Sequence, residues 1–367
     1  MMKILHVYKR NKPYSYGGIE ETIDTIVNSK NNIYGTLAIG SSNRYTSNRQ
    51  IKYYLFKESF SIRSCPFSLS LFLSFKKIIN SYDLIHYHYP WPFMDLLHFL
   101  FASKKIPYLV TYHSIIEKQK FLKIIYKPLE QWFLKNAKVL IFTSQNYFEF
   151  YRKLNPTIIS KSKIIPLGIN QKPIIKSFAK PFTFKKYFIF IGQHRSYKGI
   201  ELLISAMSKL PKINLLIIGS GALYNRHYNL SKKLKLKNIR FEKNCDDVKK
   251  IFFLKNSLAL ILPSTSPTEA FGISIIEAMS QGVPVISTNL GTGTSFNNLN
   301  NDTGFVIPPN NEDELIAKIK KLHSDSELRD EYAKNALKRF KNNFSSVNMI
   351  KKYNQVYAEI HSSALKN

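Results

Sequence analysis

The chain of 367 residues carries 54 Lys and Arg against 24 Asp and Glu, a net charge of +30, with 44% hydrophobic and 14% aromatic residues. That length exceeds one ordinary core and predicts two domains, and the apolar content excludes wholesale disorder. Residues 1–167 hold 24 basic and 9 acidic side chains and residues 168–367 hold 30 and 15, so each half is +15 and the charge is no mere tail. Such a basic, aromatic surface suits an anionic membrane, where each lysine near it contributes about 1 kcal/mol. Nucleic acid is the competing partner, but no basic helix-turn-helix, zinc spacing or RNA-binding aromatic signature would read bases. Richness in Lys, Asn and Ile also lets a biased genome account for part of the charge. Cys65 and Cys245 are far apart and lack metal spacing, which fits reduced thiols in the cytoplasm. The opening MMKILHVY has too short an apolar run for a signal peptide. No run approaches the ~18 apolar residues of a membrane span, so a soluble or membrane-surface protein is expected.

In chain order, Ile4–Tyr8 reads as a buried strand. The loop that follows brings Gly17 and Gly18 to the start of an amphipathic helix from Ile19 to about Asn28, with Glu20 as a neighbour; paired glycines there allow close backbone approach to a ligand, or simply a flexible turn. Strands at Ile33–Ile39 and Ile51–Phe56 flank a polar loop with Arg44 and Arg49. A helix over Phe67–Ile79 precedes a buried strand, Asp83–His88, and a second strand, Tyr108–Thr111, leads to His113. The spacing of His86, His88 and His113 matches no standard zinc pattern, so neutral or switchable imidazoles facing a cleft are expected. Ile115–Asn136 interleaves Lys118, Lys120, Lys123 and Lys127 with Phe121, Ile124, Ile125 and Tyr126. It reads equally as a membrane-interface helix or an ordinary surface helix, kinked or split at Pro128. A strand at Lys138–Thr143 and a helix at Ser144–Lys153 complete this half, and Pro-containing sequence to Phe184 reads as a linker.

The second half opens with a strand at Tyr187–Gly192. Arg195 and Lys198 then sit at its carboxyl end, just before a helix over Ile200–Leu210, where two cations would neutralise a diphosphate. Leu215–Gly219 ends in the tight turn Gly219-Ser220-Gly221, and Ile239–Glu242 is a short strand. Leu258–Leu262 is an apolar run read as a buried parallel strand. After it come Glu269, the amides of Ala270, Phe271 and Gly272 at a helix start, Ile273, and Glu277 inside that helix; Gly282 stops it and VPVIS is the next strand. A helix start with free N–H groups favours phosphate. Carboxylates beside a phosphate should instead accept bonds from hydroxyls, which suits a nucleotide sugar, although two solvated glutamates are also favourable there. Helices at Asn311–His323, Ser326–Phe344 and Val347–His361 follow.

The run PSTSPTEAFGISIIEAMSQGVPVI, with seven residues between Glu269 and Glu277, resembles the E-x7-E signature of the retaining GT-B-fold glycosyltransferases of family 4, as do LGTGTSF (290–296) and DTGFVIPP (302–309). The resemblance implies an α/β fold of two facing Rossmann-like, doubly wound domains with a cleft between them. It implies an acceptor domain over 1–167, a donor domain over 168–345 and a final helix over 346–367 crossing back. Gly17 and Gly18 then lie beside the donor diphosphate, Lys198 and Arg195 hold that diphosphate, Glu277 the ribose, and Glu269 and His113 the sugar. His113 enters through the match at Thr111-Tyr112-His113. Gln193 stands where many members carry arginine, a role that Arg195 would take. No cofactor or metal is implied, the nucleotide sugar, UDP- or GDP-linked, being a substrate.

The expected activity is retaining transfer of a hexose, mannose or a related sugar, to a saccharide or lipid-linked acceptor in O-antigen, capsule or lipopolysaccharide synthesis. The enzyme is expected in the cytoplasm, peripheral on the inner membrane face, with no nucleic-acid partner. A sugar-nucleotide epimerase on the same fold, or a basic nucleic-acid-binding protein, are the alternatives.

Overall fold

The computed structural model describes residues 1–12, 15, 17–48, 50–62, 65–102, 106–114, 120–154, 160–173 and 184–365, without the side chains of 120–123, 154, 364 and 365. Arg49, Lys118, the stretch 115–119, the linker residues 174–183 and the side chains of Lys120, Phe121 and Lys123 lie outside the described part. The chain divides into two compact units, Met1–Ile169 with Ser346–Asn367, and Asn170–Ser345.

In the first unit the elements run β1 (Lys3–Val7), α1 (Gly18–Val27), β2 (Ile33–Gly40), β3 (Arg44–Ser47), β4 (Ile51–Lys57), β5 (Phe60–Ile62), β6 (Cys65–Phe67), α2 (Leu69–Ile79), β7 (Leu84–Tyr89), α3 (Pro92–Phe101), β8 (Tyr108–Tyr112), α4 (Lys120–Asn136), β9 (Val139–Phe142), α5 (Gln145–Leu154) and β10 (Ser162–Ile164). Its main sheet has the order β10-β9-β8-β7-β1-β2-β4-β3, parallel except for β3. The stretch expected as a loop around Arg44 is therefore an antiparallel edge strand. All its residues are exposed, so no apolar alternation marks it in the sequence. Phe67 belongs to the β5–β6 hairpin rather than to the helix, which starts after Ser68, whose hydroxyl accepts the Leu71 N–H. The helix α4 runs as one element through Pro128, so the expected split does not occur.

The second unit contains β11 (Tyr187–Ile191), a 3₁₀ turn (Ser196–Lys198), α6 (Ile200–Ser208), β12 (Asn214–Ile218), α7 (Tyr224–Lys233), β13 (Ile239–Glu242), α8 (Asp247–Lys255), β14 (Leu260–Leu262), α9 (Ile273–Ser280), β15 (Val285–Thr288), α10 (Gly293–Asn297), β16 (Gly304–Ile307), α11 (Glu312–Ser324) and α12 (Ser326–Asn343). Its sheet is wholly parallel in the order β13-β12-β11-β14-β15-β16. In sequence order that is 3-2-1-4-5-6, the doubly wound arrangement, whose strand order reverses between β11 and β14. Strands covered on both faces read as continuous apolar runs, and every residue of β11 and β14 is buried.

The last helix, α13 (Ser346–Leu365), packs into the first unit. Its Met349, Tyr353, Val356, Tyr357 and Ile360 share one core with Ile4, Ile26, Leu84, Leu109 and Ile141. That i, i+4 spacing puts them on one helix face.

Candidate functional site

The second unit gathers its candidate residues at the switch point. The strand β11 delivers Gly192, then a chain reversal to Arg195 and the 3₁₀ turn, and β14 delivers Pro263 and the loop to Glu269. The two loops are locked together. Thr265 donates its N–H to Tyr197 O at 2.8 Å, and Gly199, at φ 67°, sits so close to Pro263 that a Cβ there would meet its carbonyl oxygen at 2.0 Å. Glycine is the residue that tolerates both the left-handed backbone and the contact.

This locking sets Lys198 Nζ 2.5 Å from Glu269 Oε2, with the lysine side chain 12% and the glutamate 9% exposed. Ser264 Oγ donates to the same carboxylate oxygen at 3.2 Å. Burial alone would pull the Lys198 ammonium down, but Glu269 more than offsets it and the pKa is raised. The Lys198 ammonium is therefore charged near neutral pH. Arg195 behaves differently. Its side chain is exposed and its Nε donates to Gln193 Oε1 at 3.3 Å, so the two residues are in contact.

The loop before α9 is held from one side. Three successive carbonyls, those of Glu269, Ala270 and Phe271, accept bonds from Thr292 Oγ1 (2.8 Å), Gly293 N (2.8 Å) and Asn297 Nδ2 (2.6 Å). In a trans peptide the N–H points opposite to the C=O. The N–H groups of Ala270, Phe271 and Gly272 therefore point away from this clamp, and among the described residues none of them donates to a protein acceptor. The helix proper begins at Ile273, behind Gly272 at φ 78° and ψ 63°. The arrangement offers backbone donors at a helix start, the environment that accommodates an anion. Thr292, Gly293 and Asn297 lie in or just after the LGTGTSF run, whose holding role sequence reasoning missed; the signal was a run of hydroxyl and amide side chains next to a short strand.

Glu277, one turn into α9, binds Lys250 Nζ of α8 at 2.8 Å through Oε1. Burial would lower the Lys250 pKa, but Glu277 and Asp247 raise it. Glu277 Oε2 has no partner among the described residues. Behind β11, His194 and His227 face each other, Nδ1 to Nδ1, at 2.8 Å, and burial pushes His194 down to about 4. Neither figures among the sequence-derived candidates.

In the first unit Gly17 precedes α1 and Gly18 is its first residue, and the Glu20 carboxylate folds back so that a Cβ on Gly17 would meet Glu20 Oε2 at 2.6 Å. Ser15 Oγ donates to Glu20 Oε1 at 3.2 Å. His113 follows β8 and is 5% exposed. His86 and His88, expected to face a cleft, are instead 0% exposed. The strand β7 sits in the middle of the sheet, between β1 and β8, and α13 covers the face that carries them. His86 Nδ1 meets Tyr357 OH and its Nε2 meets Thr111 Oγ1, both at 2.8 Å, and Thr111 Oγ1 meets Tyr353 OH at 3.1 Å.

Comparison with known proteins agrees with this architecture. Residues 42–172 match the family model described as Glycosyltransferase Family 4, and residues 171–339 the one described as Glycosyl transferases group 1. The chain is 32% identical to O-antigen chain mannosyltransferase C of Escherichia coli, covering 99% of this chain and 100% of that one. It is 32% identical to the D-rhamnosyltransferase WbpZ of Pseudomonas aeruginosa, covering 94% and 93%. Among solved structures it resembles a sucrose-phosphate synthase from Thermosynechococcus elongatus with a TM-score of 0.83 at 20% identity, covering 99% and 100%, a likeness of fold. The doubly wound sheets, the two matched family models and the full-length relatives together establish that this chain belongs to the family 4, group 1 glycosyltransferases of the GT-B fold.

Proposed function

We propose that this chain is a retaining hexosyltransferase. It takes mannose or a related sugar from a nucleotide diphosphate sugar and adds it to a saccharide acceptor, lipid-linked, during assembly of a bacterial surface polysaccharide such as O-antigen. The sugar and the pathway are suggested by the mannosyl- and rhamnosyltransferase relatives. The observation that carries the chemistry is the meeting of Lys198 with Glu269 at the switch point, beside the unclaimed amides of Ala270–Gly272.

In this reading the second unit binds the donor and the first the acceptor. The diphosphate is met by side-chain cations, Lys198 and Arg195, and by the loop amides rather than by a metal. As the leaving group departs, charge develops on its phosphate and these donors stabilise it. Glu269 and His113 orient the sugar through its hydroxyls, and Glu277 Oε2 takes the ribose. The departing phosphate accepts the acceptor's proton on the face from which it leaves, so configuration is retained, and orientation replaces a covalent nucleophile. Before the donor arrives, Glu269 keeps the half-buried Lys198 neutralised. Donor binding transfers the lysine to phosphate and frees the carboxylate for hydroxyls.

The first unit also supports residence at the inner membrane face of the cytoplasm. Among the described residues no helix is long and apolar enough to cross a bilayer. Ile124 and Ile125 of α4 nevertheless stand 71% and 67% exposed, and α3, whose Phe99 ring lies 4.9 Å from that of Trp132, exposes Phe99 and Leu100. Apolar side chains in a basic chain suit the interface of an anionic bilayer.

The deciding experiment is a thermal-shift screen with UDP, GDP and their hexose conjugates on the wild type, Lys198→Ala and Glu277→Ala. A ligand at about 100 times its Kd adds about 2.7 kcal/mol. Stabilisation by one nucleotide, lost in both variants, is expected; no response to any nucleotide overturns the reading.

A further inference from the structure

The first unit's sheet reverses its strand order between β1 and β7, and a string of imidazoles crosses that point. His6 Nδ1 lies 3.0 Å from His88 Nε2, and His88 Nδ1 lies 3.0 Å from His113 Nε2. His6 and His88 are 0% exposed. At the buried end, His6 Nε2 has no partner among the described residues. At the other end His113 has one nitrogen left, Nδ1, for which no partner exists among the described residues.

A neutral imidazole has one N–H and one bare nitrogen. Along such a string the choice is collective. Either His6 donates to His88 and His88 to His113, or both bonds run the other way. Any mixture sets two lone pairs or two N–H groups against each other. The two states differ at the ends. When the bonds run outward from His6, its partnerless Nε2 is a bare acceptor; when they run inward, it is a buried N–H with nowhere to donate. Orphaned buried N–H groups are the rarer and costlier defect, so the outward direction wins. Among the described residues no carboxylate bonds to any ring of the string to hold an imidazolium. His86 does not compete, since Thr111 and Tyr357 occupy both its nitrogens, and its ring covers those of His6 and His88 at 4.6 and 4.3 Å.

We propose that His6 and His88 are positioning residues that fix His113 as the neutral tautomer carrying its proton on Nδ1, so that His113 meets a sugar oxygen as a hydrogen-bond donor and not as a base. Burial supports neutrality throughout, pushing His6 and His113 down to about 3 and His86 and His88 well below the ordinary imidazole value. The ring nitrogens of His6, His86 and His88 also lie within 4.8 Å of one another, close enough for an ion. An ion there would take nitrogens that the string uses, so the two arrangements exclude each other.

The consequence for the sugar rests on the proposed function; the tautomer does not. The test is side-chain ¹⁵N spectroscopy of the full chain at pH 7 without nucleotide, with His113 assigned through His113→Gln. Protonated Nδ1 with bare Nε2 is expected for both His88 and His113. The same pattern at His113 is expected in His6→Asn, whose amide keeps a donor near the Nδ1 position, and a mixed or reversed one in His6→Phe. The wild-type spectrum decides even where a variant does not fold. Protonated Nε2 at His113, an unchanged tautomer in folded His6→Phe, or stoichiometric metal in the purified protein overturns the proposal. The expected tautomer with undiminished hexose transfer by His113→Ala supports the string and overturns the sugar contact. The wrong tautomer with lost transfer does the reverse.

Discussion

Lys198 and Glu269 are far apart in the chain yet form a 2.5 Å ion pair because β11 and β14 are adjacent strands whose ends point the same way. Removing one partner of such a shielded pair leaves the other uncompensated, at a cost of about 3–5 kcal/mol. Lys198→Met and Glu269→Gln are each expected to destabilise, and the double variant by clearly less than the two combined. Chemical denaturation of the four proteins checks this. Additive losses would show that the pair does not hold the loops.

Gly199 hinges the 3₁₀ turn to α6, against the Pro263 carbonyl. Gly199→Ala adds backbone strain of about 1–3 kcal/mol and a steric clash that neither loop can relieve alone. A lower melting temperature is expected, together with weakened nucleotide stabilisation, because the shift moves Lys198. A variant that melts like the wild type would show that the loops are pliable.

Asp95 of α3 is 0% exposed; its Oδ2 accepts from Tyr126 OH and its Oδ1 has no partner among the described residues. Burial, reinforced by Glu130, holds its pKa well above the usual carboxylate range. The folded state therefore keeps a proton that the unfolded chain gives up near pH 3.9. Its stabilising share is present at low pH and is lost as pH rises through the window above that value, at up to about 1.4 kcal/mol per pH unit. Asp95→Asn should gain stability relative to the wild type as pH increases from 4 to 7, which melting curves across that range measure.

The buried histidines act in the opposite sense. His6 and His113 are pushed down to about 3 and His98 to about 4, so below about pH 6.5 the unfolded chain binds protons that the folded one refuses. Stability is full above that pH and falls as pH drops toward 4. Replacing His98 by Phe should flatten the acid limb measured by urea unfolding.

On the proposed membrane role, Ile124→Asp with Ile125→Asp should reduce binding to vesicles of anionic lipid by about tenfold or more, since each isoleucine buries about 1.5–3 kcal/mol. Unchanged co-sedimentation would remove α4 from the interface.

What the sequence showed followed periodicity. The runs around Tyr187 and Leu260 are read within two residues, because strands buried on both faces are uninterrupted apolar text, and the half-buried edge strand Ile239–Glu242 is read to the residue from its alternation of Ile239 and Phe241 with Arg240 and Glu242. The helix α7 went unread: its face is polar, with His227 and Ser231 as its buried residues. The helix α3 hides inside aromatic sequence without a side-chain cap. At the site, local patterns pointed to Lys198 and to Glu269 separately, but their contact is made by strand order. The same holds for His6, which looks like one polar letter in an apolar strand until β7 lies beside it.

The placement of α13 bears on how the chain is made. Tyr353 and Tyr357 complete the core around β1, β7 and β8, yet a ribosome translates them after the whole of Asn170–Ser345. During synthesis the first unit must wait with its histidine-bearing sheet face uncovered while the second, contiguous unit has all it needs to fold. The half translated first is thus the half finished last, and a nascent chain stalled before Ser346 would be the form most in need of a chaperone.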